Sequence, residues 1–314
     1  MSPSGDDPPR LHLLIATHTT RHLGLCLAAL ANQTRPPDTV TVSCDTDDPA
    51  ITQLIRGLWP HVAGRLHARS QPVPPVRVVQ RPHQGEARPA QVRNNALRSL
   101  EQVGALDDRD QTLFIDGDML LSETACERHH ALATTGHELV IGYRANLDEA
   151  ATEAIDTDAV LSTRIDASSL LTRTERESLL ARQRRYSRQL WLRRRLPAPL
   201  CPVKPHKPKL ISCHAAVSIA ALRRINAFDE RFTAYGYEDD DLGQRLHALR
   251  PRLRVAIAVA DITAFHLWHP TRAASRPRDN PGHARFTMPR PSRAEFGWTN
   301  PAPQPDPHVE VITG

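Results

Sequence analysis

A chain of 314 residues, 40% hydrophobic and 24% charged, is long enough to bury a sizeable core, as one large α/β domain or two small ones. Arginine-rich composition gives a net charge of +5 and a pI near 9.2, which favours anionic partners without choosing among nucleotides, phosphates and a membrane surface. Five scattered cysteines without a Cys-x-x-Cys pair argue against a disulfide framework or a zinc site, and no run of apolar residues is long enough to span a membrane. The first nine residues have neither a basic nor an apolar region, so no signal peptide is expected and a cytoplasmic location is the default.

Residues 11–16 form a short apolar strand, and Thr17-His18-Thr19-Thr20 supplies turn and cap chemistry. Residues 22–32, rich in Leu and Ala, predict a helix, and residues 39–44 a strand ending at Asp45. After a variable stretch come a strand at 76–79, a helix at 91–103 and a fourth strand at 111–115. This β-α-β order with short connections predicts an α/β fold with a mostly parallel sheet and helices on both faces. Ligands of such sheets sit beyond the carboxyl ends of the strands, where Thr17, Asp45 and Asp116 fall.

The fourth strand ends in Asp116-Gly117-Asp118. Carboxylates two apart on a strand share a face, and the glycine between them lets backbone approach whatever they hold. Hard oxygen ligands suit a divalent cation, and a cation suits a phosphate. Asp-x-Asp begins at Asp45, Asp108, Asp116, Asp156 and Asp239, but only the copy at Asp116 directly follows an uninterrupted strand-like apolar run.

Residues 172–195 contain nine Arg against two Glu, a net of +7, with Leu179, Tyr186, Leu190 and Trp191 approximating one helical face. Such a helix is either a solvated cover or a contact with an anionic membrane surface or acceptor. Four Tyr and four Trp in the whole chain leave few stacking platforms for nucleic acid, which is not expected as a partner. Residues 196–208 read as a Pro-rich linker. Further on, Gly236-Tyr237 precede Glu238-Asp239-Asp240-Asp241 and a helical pattern. Acidic residues favour a first helical turn, but four in succession exceed what a cap needs, and their repulsion raises a pKa towards that of a base. A strand-like run at 255–259 leads to His266 and His269, spaced as metal ligands or phosphate contacts. From Pro270 onward nine prolines and no clear periodicity predict a tail that wraps the surface or is partly disordered.

In this order the features resemble a family 2 glycosyltransferase of the GT-A fold, with a C-terminal part similar to the galactosyltransferase-type module carrying Glu-Asp-Asp. The matching stretches are Ala16-Thr17-His18-Thr19, Leu25-Cys26-Leu27, Asp45, Val92-Arg93-Asn94, Asp116-Gly117-Asp118, residues 227–232 and residues 235–242. Family Gly-Trp-Gly becomes Ala234-Tyr235-Gly236-Tyr237 here.

The resemblance implies a Rossmann-like single domain over 11–270, with a nucleotide-binding half (11–121) and an acceptor half (122–270) that includes the basic helix. Residues 1–10 would be a flexible N-terminus and 271–314 a Pro-rich tail. It implies an inverting, metal-dependent hexosyltransferase moving a sugar from a nucleotide diphosphate, best a UDP-sugar, to an acceptor hydroxyl. Asp239 would be the base, with Glu238 and Asp240 orienting it and the acceptor. Thr17, Asp45, Arg93, Asp116 and Gly117 would line the donor. Asp116, Asp118 and His266 or His269 would hold Mn²⁺ or Mg²⁺. The acceptor would be a glycan, a lipid-linked sugar, a peptide or another small molecule, and the basic helix would allow peripheral contact at the inner membrane face. Two other readings stay open. A nucleotidyltransferase uses a similar sheet but normally shows a Gly-rich, Lys-bearing loop after strand one, absent here; a non-catalytic basic binding protein would use the acidic clusters only as caps and solvated faces.

Overall fold

The computed structural model describes residues 7–163, 165, 167–234, 236–270, 279, 281–289 and 291–312. Its first half alternates strand and helix: β1 (Leu11–Thr17), α1 (Leu23–Ala28), β2 (Thr39–Cys44), α2 (Pro49–Ala68), β3 (Val76–Gln80), α3 (Pro89–Gln102) and β4 (Gln111–Asp116). Short elements follow: β5 (Met119–Leu121), α4 (Ala125–Thr134), β6 (Leu139–Ile141), β7 (Ala145–Asn146), α5 (Glu149–Glu153) and α6 (Thr157–Leu161). The chain continues through α7 (Arg173–Arg195), β8 (His214–Ser218), α8 (Ile219–Ile225), α9 (Glu238–Ala248), β9 (Val255–Ile257), β10 (Ala264–His266), α10 (Pro281–Thr287) and β11 (His308–Ile312).

Eight strands form one sheet in the order β11-β3-β2-β1-β4-β8-β6-β9. The neighbours β3-β2-β1-β4 are parallel, as the β-α-β rhythm dictates, whereas β8 runs antiparallel to both β4 and β6. The fold is therefore α/β with a large mixed central sheet flanked by helices. Strand period two divides the core between its faces. Leu11, Leu13, Ile15, Leu113 and Ile115 pack with α1 and α2 on one side, and Leu14 and Phe114 pack with α3, α8 and α9 on the other.

Three segments were not legible as the structure has them. The variable stretch holds α2, whose Ile51, Ile55, Trp59, Val62 and Leu66 are buried at helical spacing; Asp48 caps it by accepting from Ala50 N. Pro60 inside this helix hides the pattern from a breaker-based reading. Within α7, Leu179 and Tyr186 are buried but Trp191 is 57% exposed, so it does not share their face. Beyond residue 280 the proline-rich segment joins the core: β11 adds an antiparallel strand to β3, and Trp298 and Ile312 are buried. Residues 271–278 lie outside the described part of the chain.

A second sheet, β5-β10-β7, lies beyond the end of β4. Its register sets His266 of β10 opposite Met119 of β5, directly after Asp118. That pairing, between positions nearly 150 residues apart in sequence, brings the late histidines to the early carboxylate.

Candidate active site

At the carboxyl end of β4 the chain turns through Asp116-Gly117-Asp118. Gly117 N donates to Ala16 O over 2.9 Å, locking the turn against β1. A Cβ on Gly117 would lie 2.8 Å from Thr17 Oγ1 and 2.9 Å from Thr17 Cβ, so contact with β1 requires glycine here. Thr17 Oγ1 donates to Thr19 O (2.8 Å), and Asp45 N donates to Thr17 O (2.9 Å), which aligns the ends of β1, β2 and β4.

Asp118 is the centre of a compact cluster. His266 Nε2 and His269 Nε2 lie 3.4 and 3.1 Å from Asp118 Oδ2. One ligand atom from each of Asp118, His266 and His269 can be chosen with all three within 4.8 Å of one another. Backbone fixes the arrangement, because Leu267 N donates to Asp118 O (2.9 Å) and His22 hydrogen-bonds Trp268 O (2.8 Å). Both histidines thus reach Asp118, and Asp118 Oδ1 remains buried without a partner. A divalent cation would satisfy that oxygen, and a donor set of one carboxylate and two imidazoles fits a transition ion such as Mn²⁺ better than Mg²⁺, which prefers oxygen.

Asp116 turns to the other side. Its Oδ1 accepts from Arg93 Nη2 over 2.7 Å, and Arg93 Nη1 lies 3.9 Å from Glu238 Oε1. Burial raises the Asp116 pKa; Arg93 opposes this, while the charges of Asp118 and Asp239 add to it. Asp118 is also raised by burial, but His266, His269 and Arg144 outweigh that and hold it below its ordinary value. Arg144, just before β7, was not singled out by the sequence; it acts on both carboxylates and donates to Cys213 Sγ (3.7 Å). Only its position shortly after the apolar Leu139-Val140-Ile141 offered a signal.

Four consecutive carboxylates open α9 and divide their duties. Asp241 pairs with Arg245 (2.7 Å), both buried, and Arg245 also donates to Ile225 O and Ala227 O. Asp240 lies 3.4 Å from Lys209 Nζ. Glu238 accepts from Gly236 N (2.9 Å) and faces Arg93. Burial, reinforced by the charge of Asp239 and opposed by Arg93, pushes the Glu238 carboxyl up to about 7. Asp239 is half-buried, has no ion pair among the described residues, and its Oδ1 has no hydrogen-bond partner. The preceding backbone is strained to place this turn, with Asn226, Ala227, Ala234 and Tyr237 at φ of 62°, 51°, 57° and 71°. Tyr237 packs against His283 and Phe286 of α10, so the C-terminal segment covers the position matching the family tryptophan region; Tyr235 lies outside the described residues.

One expected donor contact, Asp45, has internal partners. Asp45 is 7% exposed; Arg81 Nη2 is 2.7 Å from its Oδ1, and Arg88 N donates to its Oδ2. His83 hydrogen-bonds the Asp45 carbonyl, so the basic loop at Arg81 and His83 braces β2. Glu230, read earlier only as part of a motif, is 1% exposed and accepts from Asn94, Arg98 and Ala302 N, tying α3 to the C-terminal segment.

A family model described as the N-terminal domain of galactosyltransferase matches residues 195–268, which include α9 and His266 of β10 and stop one residue short of His269. No curated protein sequence matches the chain. Among solved structures it is similar to S. aureus TarS, with a TM-score of 0.47 and 13% identity, covering 83% of this chain but 37% of that one. It is also similar to glucosyl-3-phosphoglycerate synthase from Mycobacterium tuberculosis in complex with phosphoglyceric acid (TM-score 0.36, 16% identity, 84% and 73% coverage). A further structure of that synthase, in complex with Mn²⁺, UDP and glucosyl-3-phosphoglycerate, aligns with a TM-score of 0.35 at 15% identity, covering 84% of this chain and 73% of that one.

Proposed function

We propose that this protein is an inverting, metal-dependent glycosyltransferase of GT-A type that takes a nucleotide-diphosphate sugar, with uridine diphosphate as the preferred donor class. The observation that carries this reading is the meeting, at the carboxyl end of β4, of the Asp118–His266–His269 cluster with Arg93, Asp116 and the carboxylates of α9. Match of a galactosyltransferase domain model over residues 195–268 supports it, as does the Mn²⁺ and UDP named for one structurally similar synthase.

In this reading Asp118, His266 and His269 would hold Mn²⁺, whose charge would neutralise the leaving diphosphate. Thr17 and Gly117 let the donor lie close to the strand ends, and Asp116, oriented by Arg93, would contact the ribose or, through water, the ion. Arg144 adds positive charge on the diphosphate side. Asp45 acts on the donor only through the loop it shapes. Asp239 accepts the proton of the acceptor hydroxyl as that oxygen attacks the anomeric carbon, because it alone of the four α9 carboxylates has no ion-pair or hydrogen-bond partner among the described residues. Glu238 and Asp240 orient it. The acceptor bears a nucleophilic hydroxyl on a glycan, lipid-linked sugar or small molecule.

Donor turnover by Asp239→Asn tests the assignment. The variant is expected to keep Mn²⁺-dependent UDP-sugar binding and to lose about 10²-fold or more of donor consumption. Wild-type consumption by the variant would overturn Asp239 as the base.

A further inference from the structure

Helix α7 has two faces of different character. Leu179 and Tyr186 are buried against the body, and Gln183 ties the helix to the next layer by accepting from Ala260 N (2.6 Å) and donating to Asp261 (2.8 Å). At 100° per residue, Leu180, Arg184, Arg188, Trp191 and Arg195 fall within about 80° of the circumference on the other side. Trp191 is 57% and Leu180 41% exposed, and Arg184, Arg188 and Arg195 are exposed with no carboxylate partner among the described residues. At the same end of the helix, Leu200 is 70% exposed.

We propose that this face is a docking surface for an anionic phospholipid bilayer, with α7 lying in the plane of the headgroups. Unpaired arginines call for an anionic partner of low curvature along the whole helix, and exposed Trp and Leu beside them suit the boundary between headgroups and acyl chains. Few apolar side chains protrude, so attraction is mainly electrostatic, reversible and weakened by salt. No helix in the described residues is long and apolar enough to cross a membrane. This inference does not depend on the proposed reaction.

Co-sedimentation with vesicles tests it. The protein is expected to bind mixed phosphatidylcholine–phosphatidylglycerol vesicles, to ignore pure phosphatidylcholine, and to dissociate at high salt. Each arginine near an anionic surface is worth about fivefold in partitioning, so the Arg184→Gln/Arg188→Gln/Arg195→Gln variant should bind about a hundredfold more weakly while keeping its circular dichroism. Wild-type tryptophan fluorescence should shift to the blue on anionic vesicles, and Trp191→Ala should lose that shift. Failure to bind anionic vesicles, equal binding to neutral ones, or full binding by the triple variant would overturn the proposal. Arginine-dependent binding to duplex DNA with none to vesicles would overturn it in favour of nucleic acid.

Discussion

Glu238 carries the clearest pH signature at the residue scale. Its carboxyl is pushed from an ordinary value of 4.5 to about 7, so between those values the folded state binds more protons than the unfolded one. Its contribution is therefore favourable below pH 4.5 and is lost as pH rises through 7. Glu238→Gln removes the titration. The variant should match wild type near pH 5 and exceed it near pH 8 by up to about 3 kcal/mol in denaturant unfolding, an order-of-magnitude figure. A pH-independent difference would show that Glu238 titrates normally. Gly117 offers a second check. Gly117→Ala should destabilise by about 1–3 kcal/mol, because its Cβ meets Thr17 at 2.8 Å. Thr17→Gly should recover much of that loss in the double variant, and strict additivity would mean the two do not touch.

At the scale of elements, what the sequence revealed followed from local pattern. Apolar runs ending in Asp45 and in Asp116 mark β2 and β4, but the two-residue spacing of Asp116 and Asp118 predicts carboxylates on one face, whereas the turn at Gly117 sends Asp116 to Arg93 and Asp118 to His266 and His269. The partition of Glu238 to Asp241 was not legible, since it depends on Arg93, Lys209 and Arg245, which lie on different parts of the chain or one turn further on. Nor was β11, because its exposed, half-alternating His308–Ile312 becomes a strand only by pairing with β3. Truncation after Asp306 should leave the β3 edge unpaired and lower Tm by several degrees, with increased aggregation. An unchanged Tm would show that the C-terminal strand adds nothing to the sheet.

The whole molecule joins two halves that sequence reading kept apart. Asp116 and Asp118 come from the parallel half, and His266 and His269 reach them only because β10 pairs with β5. Such long-range pairing leaves no periodic trace, whereas the chemistry of each partner is visible on its own. A site assembled in this way should behave as a unit. The most direct measurement is a thermal-shift titration of UDP with and without Mn²⁺ on the wild type and Asp118→Ala. Joint presence of UDP and Mn²⁺ should raise the wild-type Tm well beyond either alone, consistent with about 2.7 kcal/mol at a hundredfold excess over Kd, and Asp118→Ala should lose that synergy. No shift with UDP and Mn²⁺ together, or the same synergy in Asp118→Ala, would contradict a metal-assisted nucleotide site at this cluster.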